Sequence, residues 1–397
     1  MRMLLYSLVA LLVAVFIGSL AGSDTGYVVM TLAGWTIQTS ATLFVIVLFL
    51  GFIVLYFLCR SLIRFIEMPE DIRKWRLHRR QRRAEKYLTD GLISMTEGNW
   101  KKAERDFKRA APYGRSPYIN YLYAARAAQE QGAIERRDDL LKLAYQNNPD
   151  ASMVVGITQA ELQLEQKQTE QALATLKHLQ NKQPEQAQVK QLLIDTYTDL
   201  QDWQSMLKLI PAVEKAGIYS REEIEAKQLE AYAGLMKKAG GLKNLDKLNE
   251  VWASIPKKLK QHFYLIEVYV GERLRFENTE DCEELLRSAL KKQWDGILIR
   301  LYGLVSGKDL NKQLQVAESY LDNHARDAVL LLTLGRICMR NKLWGKARDY
   351  LQESLDVQPN PEAYYEFARL HEHEGEKDKA AQCYQKGLTL ATSTPPV

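Results

Sequence analysis

LGRICMRNKLWGKARDYLQESLDVQP, Leu334 to Pro359, carries the pattern on which the fold turns. A small residue, Gly335, is followed by Trp344, a second small residue, Ala347, a bulky Leu351 and a proline, Pro359. Its tripeptide KLW, before GKA, has two counterparts upstream: GNW before KKA and QDW before QSM, with Trp100 and Trp203. The gaps between these tryptophans are 103 and 141 residues, close to three and four multiples of a 34–35-residue unit. A fixed internal period of this size is a property of whole architectures and outranks local motifs. It brings other residues into line. Gly91, Gly98, Ala103, Phe107 and Ala110 form one unit, and Ala125, Gly132, Leu141, Ala144 and Pro149 the next. Ala160, Ala172, Leu176 and Pro184 follow, and Tyr364, Ala368, Gly375, Ala380 and Tyr384 close the series.

This constellation resembles the tetratricopeptide repeat, whose units are pairs of antiparallel helices. Small residues are needed where the two helices cross, bulky ones fill the gap to the next unit, and proline ends the second helix because it cannot donate to the helix ladder. The close contacts should therefore involve Gly91, Ala103, Phe107, Ala110, Ala125, Ala172, Gly335, Ala347, Ala368 and Ala380. Arg137, Met206 and Cys282 depart from the pattern by standing where alanine is expected, and residues 221–260 and 294–326 read as helix pairs of degraded consensus. About nine pairs would fill residues 87–397. The expected fold is all-α, an α-solenoid whose units are held by their neighbours around a concave groove. A generic helical bundle would leave the shared frame of tryptophans and prolines unexplained.

Ahead of the repeats lie two uncharged runs, Met3 to Gly22 and Ala41 to Cys59. Each approaches the ~20 apolar residues that cross a ~30 Å hydrocarbon layer as a helix. Ser19-Leu20-Ala21 resembles a signal cleavage site, yet the apolar stretch before it exceeds the usual length of such signals. Within the first run Ala10, Ala14 and Gly18 form a small-xxx-small stripe. The connector Ser23 to Ser40 has neither Lys nor Arg, while Arg2, Arg60, Arg64 and the cluster RKWRLHRRQRRAEK, Arg73 to Lys86, flank the runs. Positive charge near span ends stays on the cytoplasmic side. The sequence thus predicts a transmembrane hairpin over 1–60 with a short periplasmic loop, a basic juxtamembrane helix over 61–86, and a cytoplasmic repeat domain over 87–397, both termini inside. Arg73, Lys74, Arg76, Arg79, Arg80, Arg82, Arg83 and Lys86 would face anionic headgroups. Residues 1–86 carry eleven Lys/Arg against five Asp/Glu, whereas 87–397 carry 43 against 44. That balance offers no basic face for nucleic acid.

Cys59, Cys282, Cys338 and Cys383 form no C-x-x-C pair and read as reduced thiols. His371 and His373 are two apart, on different faces of a helix, and read as surface residues rather than metal ligands. Glycine-rich phosphate loops, G-x-S-x-G and H-E-x-x-H are absent from the sequence, so catalysis has no positive support and no cofactor is called for. In the tetratricopeptide frame, Arg126, Arg336 and Arg369 take the ninth position and Arg340 the thirteenth, both groove-facing. Arginine's planar fork suits carboxylates, as an acidic peptide tail or a small acid would offer. The same arginines could instead pair with local glutamates such as Glu130 and Glu372.

Gly26-Tyr27-Val28, Thr39-Ser40 and SMLKLIP, Ser205 to Pro211, together with the two-span, basic-stretch, repeat order, resemble the proteobacterial HemY family over essentially the whole chain. The resemblance implies an inner-membrane protein linked to late protohaem synthesis that scaffolds enzymes and intermediates. Under it the partners would be haem-synthesis enzymes. A direct haem or porphyrin carrier, with iron held by His371 or Cys338, and a pathway enzyme are the alternatives. A flavin-dependent protoporphyrinogen oxidase shares the family's name, but it needs a glycine-rich dinucleotide turn. The lipopolysaccharide-assembly regulators, also membrane-tethered repeat proteins, have one span and paired C-x-x-C knuckles.

Overall fold

The computed structural model describes residues 26–32, 35–276 and 279–393. The first apolar run, with Ala10, Ala14 and Gly18, lies outside the described residues. The described residues open with two antiparallel strands, β1 (Tyr27–Leu32) and β2 (Trp35–Ser40), in a register pairing Tyr27 with Ser40 and Leu32 with Trp35. An all-α expectation with a loop over this stretch missed the hairpin. Its cause is local: Val28, Val29, Thr31, Thr36, Ile37 and Thr39 are β-branched and favour the pleated backbone.

β2 runs directly into a 56-residue helix, Ala41–Thr96. Ser40 caps it, its Oγ accepting from the Leu43 amide at 3.4 Å, while the Ala41 amide donates to the Gly26 carbonyl at 2.9 Å. Leu43–Leu62 forms a 20-residue window of mean hydropathy 2.7 with none of it buried. The same helix continues through the basic stretch into the first repeat. It stops where Gly98 takes a left-handed φ of 74° and the Asn99 amide reaches back to the Ser94 carbonyl. Glycine adopts that conformation without a Cβ clash, closing the helix by a Schellman-type bond.

That stop recurs. Left-handed residues follow at Gly132, Lys167 and Gln201, and later at Lys342 and Gly375. In each case the next amide bonds a carbonyl five residues back: Ala133 to Ala128, Gln168 to Gln163, Asp202 to Tyr197, Leu343 to Cys338, Glu376 to His371. The 34-residue period is thus written in the backbone as well as in side chains. Trp100, Trp203 and Trp344 each open the helix after such a stop.

The described chain forms two compact units, residues 1–151 and 152–397. In the first, the long helix packs on Trp100–Ala110, that helix on Pro117–Glu130, and Pro117–Glu130 on Ile134–Asn147. A Cβ on Gly91 would lie 2.8 Å from the Phe107 ring, which stacks on Tyr123 at 5.3 Å. The second unit runs in helix pairs from Ser152–Glu165 with Thr169–Lys182 to Pro361–His373 with Lys377–Ser393. Residues 221–260 and 294–326, weak in consensus, are helical too, as Arg221–Gly241 with Leu245–Ser254 and Gly296–Leu304 with Leu310–Ser319. Leu265, Leu286, Leu298, Leu334, Ile337 and Leu351 form a continuous buried core there, each such side chain contributing about 1.5–3 kcal/mol. At Gly335 a Cβ would fall 2.6 Å from Leu351.

Candidate functional site

The ten residues expected at helix crossings are all buried. So are the three departures. Arg137 is 1% exposed, its Nη1 donating to Gln129 Oε1 at 3.1 Å and its Nε to Asp138 Oδ1 at 2.8 Å. Met206 and Cys282 simply fill the alanine site with a larger apolar group.

Arg336 lies on Ala328–Arg340, between Gly296–Leu304 and Pro361–His373. The three helices are first members of successive pairs, so equivalent positions form a row across one face. Arg336 is 7% exposed. Its Nε donates to Glu366 Oε1 at 3.0 Å and its Nη2 to Glu362 Oε2 at 2.8 Å. Arg300 forks onto Glu362, its Nε 2.9 and 3.0 Å from the two oxygens, and Arg369 Nη1 donates to Glu366 Oε2 at 3.0 Å. Arg340 turns to the end of the helix before, donating from Nη1 to the Gly303 carbonyl at 2.9 Å, where a cation also meets the negative end of the helix dipole. Burial pushes Arg340 down to about 10, and neighbouring Arg336 adds to the effect. Burial alone would raise the Glu362 carboxyl, but hydrogen bonds from Arg300 and Arg336 outweigh it and hold the group below its ordinary value.

The structure therefore brings Arg336, Arg340 and Arg369 together and meets Arg336 and Arg369 with Glu362 and Glu366 rather than with Glu372. Arg126, half-buried, belongs to the first unit. Glu362 and Glu366 were missed in the sequence although they sit one helical turn apart, a spacing that places two carboxylates on one face. Arg336 Nη1 and Arg340 Nε and Nη2 are buried without a hydrogen-bond partner. Such donors are costly to leave unmet, and they are the part of the network that a carboxylate could still satisfy.

His371 corrects the surface expectation. It is 7% exposed, its ring 4.5 Å from Phe367 and its Nδ1 2.7 Å from Glu376 Oε2. Apolar packing on one side and a carboxylate on the other draw it inward. Glu374 completes a metal-like trio, but Arg348 already pairs with Glu374 and Lys379 with Glu376, so the trio's charge is compensated. His373 stacks on Trp344 at 3.8 Å.

The basic residues Arg73 to Arg83 and Lys86 are exposed along the long helix, save that Arg80 also lies 4.9 Å over the Tyr113 ring. A basic cleft of about 790 Å³ opens beyond them, lined by Lys101, Lys102, Arg105, Lys108, Arg109 and Arg136. Glu104 and Asp106 are buried beneath it and pair with four of these cations.

Residues 26–132 match the family model described as HemY protein N-terminus, and residues 361–394 match a tetratricopeptide repeat model. Protein HemY of Escherichia coli K12 is 25% identical over 389 residues, covering 98% of this chain and 98% of that protein. The chain resembles Protein HemY along nearly its whole length. Protein HemY of Shigella flexneri matches to the same extent, 25% identical and 98% of each chain. Among solved structures, the chain is similar to a chain of the APC/C hetero-tetramer Cut9–Hcn1, at 16% identity and a TM-score of 0.33, covering 78% of this chain and 66% of that one. A tetratricopeptide repeat protein from Parabacteroides merdae gives 13% identity and a TM-score of 0.26, with 69% and 93% covered.

Proposed function

We propose that this chain is a membrane-anchored adaptor that holds partner proteins on its repeats and organises a late step of haem synthesis at the bacterial inner membrane. The observation that carries the reading is one helix, Ala41–Thr96, with an apolar 20-residue window, none of it buried, at one end and repeat packing around Gly91 at the other. Such a window suits lipid, where a helix satisfies its own backbone. Residues 1–60 then form a two-span hairpin, both termini and the repeats of 87–397 are cytoplasmic, and tethering raises the local concentration of weakly bound partners. The link to haem rests on the likeness to Protein HemY.

Helix geometry refines the role of the basic stretch. At 1.5 Å per residue, Arg73 stands about 16 Å beyond Leu62 along the helix axis and Lys86 about 36 Å. Headgroups occupy only about 5–7 Å per leaflet, and charge is screened within about 8 Å at physiological salt. Arg73, Lys74 and Arg76 are the residues best placed for anionic lipid. Contact by Arg82, Arg83 and Lys86 requires the helix to lean over.

For the groove, Arg336, Arg340 and Arg369, with Arg126 in the other unit, are the proposed contacts for carboxylates of partner proteins. Of the two iron-ligand candidates of a direct haem carrier, Cys338 is packed in the hydrophobic core and His371 lies between Phe367 and Glu376. Crosslinking in intact membranes tests the adaptor. Haem-synthesis enzymes should be recovered with the full chain and lost when residues 97–397 are removed. Recovery of none, with the protein correctly inserted, would end the proposal. Arg369→Glu, at a half-exposed position, should weaken capture without unfolding the stack.

A further inference from the structure

The β1–β2 hairpin has two unlike faces. Strand alternation puts Val28 and Met30 on one side with their cross-strand partners Thr39 and Ile37, and Trp35, two residues before Ile37, joins them. The opposite face carries Tyr27, Val29 and Thr31 with Ser40, Gln38 and Thr36, mostly hydroxyl and amide groups. On the first face Trp35 is 79% exposed, Ile37 60% and Met30 51%, so no described residue covers it. A two-stranded hairpin with an open apolar face is marginal in water.

Three further facts identify the cover. From Gly26 to Cys59 there is no Asp, Glu, Lys, Arg or His, so nothing in the hairpin resists leaving water. Ser40, the last residue of β2, is the cap of the helix whose lipid-compatible window begins at Leu43, about 4.5 Å further along the axis. The apolar face also continues into exposed Leu43, Ile46 and Val47. A second copy pairing along a strand edge would satisfy backbone groups but leave this face open.

We propose that the hairpin lies flat on the membrane at the outer end of the span, seating Met30, Trp35 and Ile37 among headgroups and upper acyl chains. Tryptophan is the residue type favoured at that depth, and amphipathic elements bury their apolar side about 5–10 Å into it. The polar face, with Thr31, Thr36 and Gln38, then looks to water. Joined to the span by its cap, the hairpin acts as a flat outer stop that sets how deep the helix sits. This inference rests on the membrane reading above.

The test uses the full chain with Cys59→Ala and Cys383→Ala, Cys282 and Cys338 being buried, in liposomes of a phosphatidylethanolamine–phosphatidylglycerol mixture. Single nitroxides are attached through Met30→Cys, Ile37→Cys, Val29→Cys, Gln38→Cys and, as a span control, Leu50→Cys. Collisions with oxygen report lipid, and collisions with a water-soluble nickel chelate report water. Positions 30 and 37 should favour oxygen several-fold over 29 and 38. Equal nickel access at all four would overturn the proposal, and so would positions 30 and 37 shielded from both reagents, the sign of a protein contact. Nickel access at position 50 would instead refute the span itself, and the adaptor reading with it.

Discussion

If Gly335 is small because Leu351 needs the space, the two positions should be energetically coupled in a way that can be measured. A Cβ on Gly335 would sit 2.6 Å from both Cδ2 and Cγ of Leu351, where ordinary contact is 3.4–4 Å. Leu351 is fully buried, so it must retreat by roughly 1 Å against a filled core, and Gly335→Ala should cost about 1–3 kcal/mol. Leu351→Ala removes a buried leucine and leaves a cavity, costing about 2–5 kcal/mol. The double variant places the new methyl beside the vacated volume, so its cost should fall short of the sum by about 1 kcal/mol or more. The assay is hydrogen-exchange mass spectrometry of the full-length chain in detergent, read on peptides covering 328–357, since repeat stacks open locally. Losses that add within about 0.5 kcal/mol would show that close approach is not the constraint, and the packing logic inferred for Gly91 and Ala368 would fall with it.

Other outcomes follow from the same geometry. Lys342, at a left-handed φ of 58°, should be stabilised by up to about 1 kcal/mol on change to Gly, because that conformation costs a side-chain-bearing residue about 1–2 kcal/mol; Gly375→Ala should lose a similar amount in urea melts. Arg336→Ala leaves the buried Glu366 carboxylate with only the half-exposed Arg369 as ion-pair partner and should cost up to about 3–5 kcal/mol, above Arg336→Met with Glu366→Leu, which removes both buried charges. The Glu362 carboxyl is held low when folded, so its contribution is complete above the unfolded value near 4.5 and fades as pH falls through the lower folded value; Glu362→Gln should flatten the acid limb of a stability–pH curve. Cys338, its thiol pushed up to about 11 by burial, should resist iodoacetamide at pH 8 until denaturant is added, whereas the half-exposed Cys383 reacts in the native protein.

The repeat was legible because its signals are residue types with few alternatives: glycine or alanine where helices touch, tryptophan after the turn, proline after the second helix. Left-handed stops at Lys167, Gln201 and Lys342 were not, since lysine and glutamine do not announce a positive φ. The partners of Arg336 stayed hidden for another reason. Glu362 and Glu366 lie in the next repeat, and only the stacking of first helices brings them within reach. The strand pair between the apolar runs is hard to see in the sequence because each strand is only six residues long and its lack of Lys and Arg speaks first to topology. Continuity of Ala41–Thr96 escaped notice because a shift from apolar to charged composition at Arg60 changes the solvent of a helix without ending it.

That continuity has a geometric consequence. A helix advances by about 100° of rotation with each residue, so the rod fixes the compass bearing of the first repeat about the membrane normal, as a shaft fixes the heading of a vane. One residue inserted between Leu77 and Arg83 would swing it by about 100°, while seven would return it to within about 20°. Partners that must meet the bilayer and the repeats together would tolerate the second change and not the first.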